Sequence, residues 1–160
     1  MIADQPMKLL IGQIASELTA HQVYMGISAY FTRESLNGWA KLFRDQAIEE
    51  AEHAWKIVNY LIDNDVEFAL PQVRGAPTTY KSAREALEVA QASERRVTQA
   101  FEGLANAARE AKDNRTLEFL HWFIAEQVEE ERNVAALIEL VDSGINLFDA
   151  EQHLERVTRE

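Results

Sequence analysis

The sequence predicts an all-α fold: a four-helix bundle with a long crossover between its two helical hairpins and a short fifth helix. Helix breakers are few, with 3 Pro and 6 Gly in 160 residues, while residues that favour helices are abundant. Apolar residues recur at steps of three and four along four long segments, which is typical of helices that bury one face. A chain of 160 residues is most simply a single domain, 1–160.

The first two helices form one predicted hairpin. Helix A is expected over about residues 5–35 and helix B over about 39–65, with Asn37 and Gly38 breaking the chain between them. The segment that follows, up to about Tyr80, contains two Pro and a Gly. Roughly 14 extended residues span about 45 Å, slightly more than the length of helix B. This segment can therefore carry the chain from one end of the bundle to the other.

The second predicted hairpin consists of helix C, about residues 81–109, and helix D, about 114–142. Asp113 or Asn114 is a plausible N-cap for helix D. Helix E is expected over about 147–158, with Asn146 as its cap.

Composition excludes several classes of function. The chain has no Cys, which removes disulfides and thiolate metal sites. Sixteen basic and 27 acidic residues give a net charge of −11, which argues against nucleic acid as a partner and suits a protein that handles cations. An acidic balance also simply favours solubility. No apolar run is long enough to span a bilayer and no targeting segment is apparent, so we expect a cytoplasmic protein without a membrane partner.

Polar residues interrupt the apolar seam of every long helix near its middle. Four helices of similar length, packed side by side, bring their midpoints to one level. The buried carboxylates expected there must be protonated, paired or bound to metal. The residues predicted at this level are Glu17, Glu50, His53, Glu94, Gln127 and Glu130.

Two divalent metal ions that share a bridging carboxylate would balance this charge most simply. Glu50 and His53 lie one turn apart, where both can bind one ion. Oxygen ligands with a single nitrogen and no sulfur suit iron or manganese better than zinc. Tyr24 lies two turns beyond Glu17 on the same face. It could bond a ligand or take part in one-electron chemistry, although a core tyrosine is the commoner case.

Other candidate groups have competing interpretations. Glu118 and His121 share the three-residue spacing but face away from the seam, so we expect them on the surface. His21 is expected to be a core or supporting residue rather than a ligand. A further acidic group is either a solvated face or a third metal site just outside the core; its members are Glu49, Glu126, Glu129 and Glu130.

The segments around these residues resemble the bacterial non-haem ferritins over the whole chain. The resemblance lies in Glu17 with Tyr24, in the run Glu49-Glu50-Ala51-Glu52-His53, in Glu94, and in the run from Trp122 to Glu130. It implies storage of iron in a hollow shell of 24 subunits, with Fe(II) oxidised by dioxygen or hydrogen peroxide. One iron would be bound by Glu17, Glu50 and His53, and a second by Glu94, Glu130 and Gln127, with Glu50 bridging. A third iron site would use Glu49, Glu126, Glu129 and Glu130.

Departures from related families narrow this interpretation. Bacterioferritins repeat the Glu-x-x-His pair on helix D and have a haem-binding Met after the helix B glutamate. Here Gln127 and Glu130 replace the pair and Ala51 replaces the Met, so no haem is expected. Leu117 and Leu120 stand where animal ferritins have acidic residues at the three-fold entry channels, which leaves the iron entry route open.

Two other functions are compatible with the same residues. A di-metal oxidase acting on an organic substrate would need an open pocket beside the metals, whereas the seams look filled by Leu, Phe and Val. A purely structural bundle would keep its acidic core protonated or salt-bridged, although few Lys or Arg face the seams.

Overall fold

The computed structural model of the chain describes residues 1–158, and that part of the chain is helical without strands. The all-α prediction is confirmed, and the ends of the four long helices lie within two residues of the expected positions. The elements in chain order are α1 Asp4–Arg33, α2 Asn37–Asp63, α3 Ala83–Glu110, α4 Asn114–Asp142, α5 Leu147–Ala150, a 3₁₀ turn Glu151–His153 and α6 Leu154–Val157.

The four long helices form two hairpins that pack on each other. α1 lies along α2, α3 along α4, and α1 along α3, whereas α2 and α4 approach each other less closely. None of the helices in residues 1–158 is both long and apolar enough to cross a membrane.

The crossover, residues 64–82, runs along the bundle as predicted. Its first part packs on the apolar cluster at one end of the bundle through Val66 and Phe68, and its last part packs at the other end. There Arg33 Nη1 donates a hydrogen bond to the Thr78 carbonyl oxygen at 2.7 Å. The chain passes so close to α1 at Gly26 that a Cβ there would lie 2.1 Å from the Pro77 carbonyl oxygen.

Two helix starts have the local caps that the sequence indicated. The Asp113 side chain accepts a hydrogen bond from the Thr116 main-chain N–H at 3.1 Å, and Asn146 accepts one from Phe148 at 2.9 Å. These bonds satisfy main-chain groups that the helix itself leaves without a partner.

The expectation that Asn37 and Gly38 break the chain between the first two helices is wrong. The turn consists of residues 34–36, with Ser35 at φ 60°, and Asn37 is the first residue of α2. The reason lies far along the sequence: Glu151 Oε1 accepts a hydrogen bond from the Gly38 N–H at 2.7 Å. A cap supplied by the C-terminal segment therefore lets α2 begin earlier than local sequence suggests.

The expected C-terminal helix, 147–158, is present as two short helical segments joined by the 3₁₀ turn. Ala150 and Leu154 are buried against the bundle, and Trp39 Nε1 donates a hydrogen bond to the Leu147 carbonyl oxygen at 2.9 Å. Residues 159–160 lie outside the described part of the chain.

Buried apolar side chains form two clusters, one toward each end of the bundle. One cluster contains Phe31, Trp39, Phe43 and Leu137, and the other contains Leu10, Ile57, Phe101 and Phe123. The buried carboxylates lie between the two clusters: in α2, α3 and α4 the nearest clustered residues on either side of the carboxylate belong to different clusters. In α1, Glu17 lies between Ile14 and Ala20 of one cluster, and the residues of the other cluster begin at Val23. The fold thus places a polar layer across the middle of an apolar core.

Candidate metal centre

Three side chains from the first hairpin meet in this polar layer. Glu17, Glu50 and His53 are buried, and one ligand atom of each lies within 4.8 Å of the others. His53 Nδ1 is 3.5 Å from Glu17 Oε2 and 3.5 Å from Glu50 Oε2. Both of these carboxylate oxygens are buried without a hydrogen-bond partner. Since buried polar atoms are rarely left unpaired, this geometry is one that a bound cation would satisfy.

Glu50 also belongs to a second trio that joins the two hairpins. It lies with Glu94 of α3 and Glu130 of α4, again with ligand atoms within 4.8 Å of one another. All three side chains are buried. A carboxylate has two oxygens and can bridge two ions, so the shared Glu50 makes the two trios adjacent parts of one centre.

Glutamine side chains orient the carboxylates of the first trio. Gln13 Nε2 donates to Glu17 Oε1 at 2.6 Å, and Gln46 Nε2 donates to Glu50 Oε1 at 3.1 Å. Each glutamine lies one helical turn before its glutamate, so the spacing could have revealed both. Neither glutamine was among the predicted site residues.

Glu94 is held by donors from two other helices. The buried Tyr24 hydroxyl donates to Glu94 Oε1, and Gln127 Nε2 donates to Glu94 Oε2 at 3.0 Å. The amide of Gln127 is a hydrogen-bond donor here, and its predicted role as a ligand stays a prediction. Both oxygens of Glu94 thus have fixed partners.

The centre holds protons that a metal ion would have to displace. Burial, followed by the negative charge of Glu50, raises the pKa of Glu94 to about 7. Burial, followed by the charges of Glu94 and Glu50, raises the pKa of Glu130 to about 9. Burial alone would lower the pKa of His53, but the nearby carboxylates of Glu17 and Glu50 favour the charged imidazole and raise its pKa to about 10. Metal binding here should therefore release protons and strengthen as pH rises.

The four residues of the predicted third site do not form one cluster in the structure. Glu126 is half-buried and forms a cluster with His53 and Glu130, whose ligand atoms lie within 4.8 Å of one another. Glu129 forms an ion pair with Arg132 at 3.4 Å. Glu49 lines a groove that also contains Glu130. Among the described residues, Glu126 and Glu130 thus cluster with His53 rather than with Glu49 and Glu129.

An open groove reaches the centre between α2 and α4, contrary to the expectation that the seams leave no pocket there. This α2–α4 groove has a volume of about 500 Å³ and extends to the C-terminal segment. Its lining includes acidic and amide side chains as well as apolar ones. Residues that line it include Tyr24, Phe43, Gln46, Glu49, Glu130 and Glu151.

The side chains that were predicted not to be metal ligands lie away from the buried carboxylates or have other partners. His121 and Glu118 pair at 3.2 Å on the surface, with 60% and 82% of their side chains exposed. His21 Nδ1 lies 2.6 Å from the Ala47 carbonyl oxygen, which gives it a structural partner. Leu120 is buried and Leu117 packs against the same cluster, so neither resembles a polar channel residue.

An aromatic contact also supports His53. The Trp122 ring packs edge-on against His53 with centroids 5.3 Å apart. Lys56 Nζ lies 4.2 Å from the Trp122 ring centroid, a favourable cation–π geometry. These contacts restrict the orientation of the imidazole.

Comparison with known proteins gives a consistent result. A family model for a ferritin-like domain matches residues 7–143. A ferritin BfrB from Mycolicibacterium smegmatis is 39% identical over 149 residues, which are 92% of this chain and 82% of that protein. A bacterial non-heme ferritin from Staphylococcus epidermidis is 37% identical over 131 residues, 82% of this chain and 79% of that protein.

A solved structure agrees with these matches. It is described as a novel open pore ferritin from the hyperthermophilic archaeon Archaeoglobus fulgidus, and it superposes with a TM-score of 0.92 at 27% identity over 100% of both chains. The matched region includes all four long helices and every buried carboxylate of the centre. The chain therefore belongs to the ferritin family of iron-storage proteins.

Proposed function

We propose that each subunit oxidises Fe(II) at a di-iron centre within its own bundle and passes the ferric product to a mineral inside a hollow shell. The observation that carries this proposal is the pair of buried, unpartnered oxygens, Glu17 Oε2 and Glu50 Oε2, which both face His53 Nδ1. Their donor set of two carboxylates and one imidazole suits ferrous iron.

The two trios would give the substrate ions separate positions. Glu17, Glu50 and His53 would hold one Fe(II), Glu94 and Glu130 would hold the other, and Glu50 would contact both. This sharing keeps the two ions close enough to react together. Gln127 and Tyr24 would hold Glu94 in place through their hydrogen bonds.

The reaction needs two electrons, and the paired positions supply them together. Each of two ferrous ions loses one electron. One dioxygen molecule accepts both electrons and two protons to give hydrogen peroxide, or one hydrogen peroxide molecule accepts them to give two water molecules. Taking both electrons at one centre avoids release of a radical, and the carboxylates stabilise the added positive charge.

The product can leave toward the α2–α4 groove. Glu130 belongs to the centre and also lines the groove together with Glu49. We infer that Glu126, with His53 and Glu130, provides a third cation position beside the centre. We also propose that Glu49, which lines the groove, and Glu129 act on the ferric product outside the centre. We further propose a cytoplasmic shell of 24 copies with α5 and α6 at its channels, on the resemblance alone; analytical ultracentrifugation tests the number of copies.

Substitution of the first trio tests the assignment. A double variant, Glu50→Ala with His53→Ala, should abolish the fast oxidation phase when Fe(II) protein is mixed with air, because the first iron loses two ligands. The matched control is Glu118→Ala with His121→Ala, which removes the same residue types at the same spacing from the surface. Unchanged oxidation in the first double variant would refute the proposed centre.

A di-metal oxidase acting on an organic molecule is the alternative that the α2–α4 groove allows, because its volume would admit a small substrate. The groove wall carries several charged side chains, among them Lys41, Asp45 and Glu49, and this favours hydrated ions. Fast oxidation of two irons per chain, followed by slow uptake of many more, is expected for storage. A fast phase without further uptake would favour the oxidase.

A further inference from the structure

A relay of hydrogen bonds between α3 and α4 connects the second metal position to the surface. Its members are Glu94, Gln127, Thr98 and Glu131. Gln127 Nε2, which donates to Glu94, also donates to Thr98 Oγ1 at 3.2 Å. Thr98 Oγ1 in turn donates to Glu131 Oε1. The four residues form two pairs one helical turn apart, Glu94 with Thr98 on α3 and Gln127 with Glu131 on α4.

The Thr98 hydroxyl does not form the bond that is common for a threonine inside a helix. A threonine inside a helix commonly donates its hydroxyl proton to the main-chain carbonyl four residues earlier. Thr32 of α1 does so to Ser28 at 2.8 Å, and Thr158, which directly follows α6, does so to Leu154 at 3.0 Å. Thr98 instead sends its proton across to Glu131 on α4. The bond therefore links two helices rather than bracing one.

The available protons fix which group donates in each hydrogen bond of this relay. A carboxylate only accepts, so the hydroxyl proton of Thr98 is committed to Glu131. Thr98 can then offer only a lone pair to Gln127, and Gln127 must present its NH₂ group rather than its carbonyl oxygen. One amide proton serves Thr98 and the other serves Glu94 Oε2, while the Glu94 main-chain oxygen lies farther away at 3.4 Å.

We propose that Thr98 and Glu131 are positioning residues for the second metal position. By fixing which end of the Gln127 amide faces Glu94, they hold that carboxylate in the orientation in which it binds iron. Neither residue touches the metal ligands of the first position. This inference rests on the di-iron centre proposed above and adds two residues to it.

The relay ends at a shallow groove on the α3–α4 face. This groove, about 290 Å³, is lined by Thr98, Gln127 and Glu131, together with Phe101 and Val128. Glu131 and Thr98 are only half-buried, so they can be substituted without opening the apolar core. Glu102 lines the same groove, is exposed and lies outside the relay, which makes it a matched control.

Four substitutions separate positioning from packing. Thr98→Val keeps the shape and removes the hydroxyl, while Thr98→Ser restores it. Glu131→Gln keeps a hydrogen-bonding group of the same size but can donate to Thr98, which frees the Thr98 proton and releases the Gln127 amide from its fixed direction. Glu102→Gln removes one carboxylate from the same groove and leaves the relay intact.

The measurement is an anaerobic Co(II) titration of the assembled, iron-free protein, followed by visible absorption, since Co(II) spectra report the ligands at each position. We expect Thr98→Val and Glu131→Gln to weaken the second Co(II) by about 10- to 100-fold, as loss of a residue that orients a ligand does. The first Co(II) should keep its affinity and spectrum. Thr98→Ser and Glu102→Gln should behave as the unmodified chain.

The proposal requires that these substitutions weaken binding of the second Co(II) and not of the first. Equal weakening of both Co(II) ions, or unchanged binding of both in Thr98→Val and Glu131→Gln, would overturn the positioning role while leaving the di-iron centre in place. Failure of the unmodified chain to bind two Co(II) per subunit would instead overturn the proposed centre and this inference together.

Discussion

Glu130 shows how burial sets the properties of a single residue. Its carboxyl group lies in the polar layer with Glu94 and Glu50 nearby, and together burial and these charges raise its pKa to about 9. In the unfolded chain the same group would titrate near the ordinary value of 4.5. Between these values the folded, metal-free protein holds a proton that the unfolded chain lacks.

This difference makes the metal-free protein less stable as pH rises. A pKa that is raised by folding contributes stability that is present below the unfolded pKa and lost as pH rises through the folded pKa, here across the window from 4.5 to about 9. Glu130→Gln mimics the protonated carboxyl and cannot titrate. With a chelator present, we expect its free energy of unfolding to fall less steeply over pH 5 to 9, by up to about 1.4 kcal/mol per pH unit.

Urea denaturation at several pH values measures this slope, and Glu118→Gln on the same helix is the control because Glu118 is exposed. Identical slopes for Glu130→Gln and the unmodified chain would show that Glu130 is not protonated in the folded state.

Tyr24 acts on the neighbouring carboxylate. Its hydrogen bond lowers the pKa of Glu94, although burial and the charge of Glu50 keep that pKa raised at about 7. Tyr24→Phe removes the donor, so Glu94 should hold its proton to higher pH and the second metal should bind less tightly near neutral pH. Binding of the second Co(II), measured at several pH values from 6 to 8, should be half complete at a higher pH in this variant than in the unmodified chain. Tyr60→Phe, which removes a hydroxyl that pairs with Thr116 instead, should leave that pH unchanged.

At the scale of the elements, α2 depends on a residue from the far end of the chain. Glu151 accepts hydrogen bonds from the main-chain N–H groups of Gly38 and Trp39 at 2.7 and 3.4 Å. Its negative charge also lies at the positive end of the helix dipole. The C-terminal segment thus does for α2 what Asp113 does locally for α4.

Glu151→Ala should cost about 1 kcal/mol of stability, the usual effect of losing a helix cap. Chemical denaturation measures the loss, and Glu155→Ala in the same segment is the control because Glu155 is exposed. Equal stability of the two variants would mean that water replaces Glu151 at no cost.

The close approach of the crossover to α1 gives a second prediction at this scale. Gly26→Ala would place a Cβ 2.1 Å from the Pro77 carbonyl oxygen, so the crossover must move, and overpacking of this kind costs about 1–3 kcal/mol. Gly12→Ala in the same helix meets nothing within 4 Å and should stabilise by about 0.5–1 kcal/mol. Thermal denaturation of the pair should therefore give shifts of opposite sign. A stabilised Gly26→Ala would show that the crossover is not held at α1.

These elements also show what sequence reasoning could reach. The three-and-four periodicity separated His53, which faces the core, from His121, which has the same spacing and lies on the surface. Periodicity assigns a residue to a helix face, so it predicted the buried carboxylates well. It could not predict that Glu151 caps α2, because that contact joins residues 113 positions apart. Nor could it tell that Glu129 pairs with Arg132 whereas Glu126 lies with His53, since one helix face carries both.

For the whole molecule, the central fact is a charged layer between two apolar clusters. Desolvation makes this layer costly when it carries charge without a partner. The metal-free protein reduces the cost by keeping protons on Glu94 and Glu130 at low pH, as their raised pKa values indicate. A pair of divalent ions would replace those protons and neutralise the same charges. Protons and metal therefore compete for one layer.

This competition predicts how metal and pH jointly control the stability of the assembled protein. Binding to the folded state stabilises it in proportion to the logarithm of ligand concentration over dissociation constant. The affinity should increase as pH rises because fewer protons must be displaced. Since the metal-free protein loses stability over the same range, the rise in melting temperature on adding anaerobic Co(II) should be larger at pH 8 than at pH 6.

Differential scanning calorimetry with and without Co(II) at the two pH values measures the two increments. The double variant Glu50→Ala with His53→Ala should show little increment at either pH, because both metal positions lose ligands. Equal increments at pH 6 and pH 8 in the unmodified chain would mean that metal binding displaces no protons from the layer. The raised pKa values of Glu94 and Glu130 would then have no part in metal uptake, and the metal would have to bind outside the buried carboxylates.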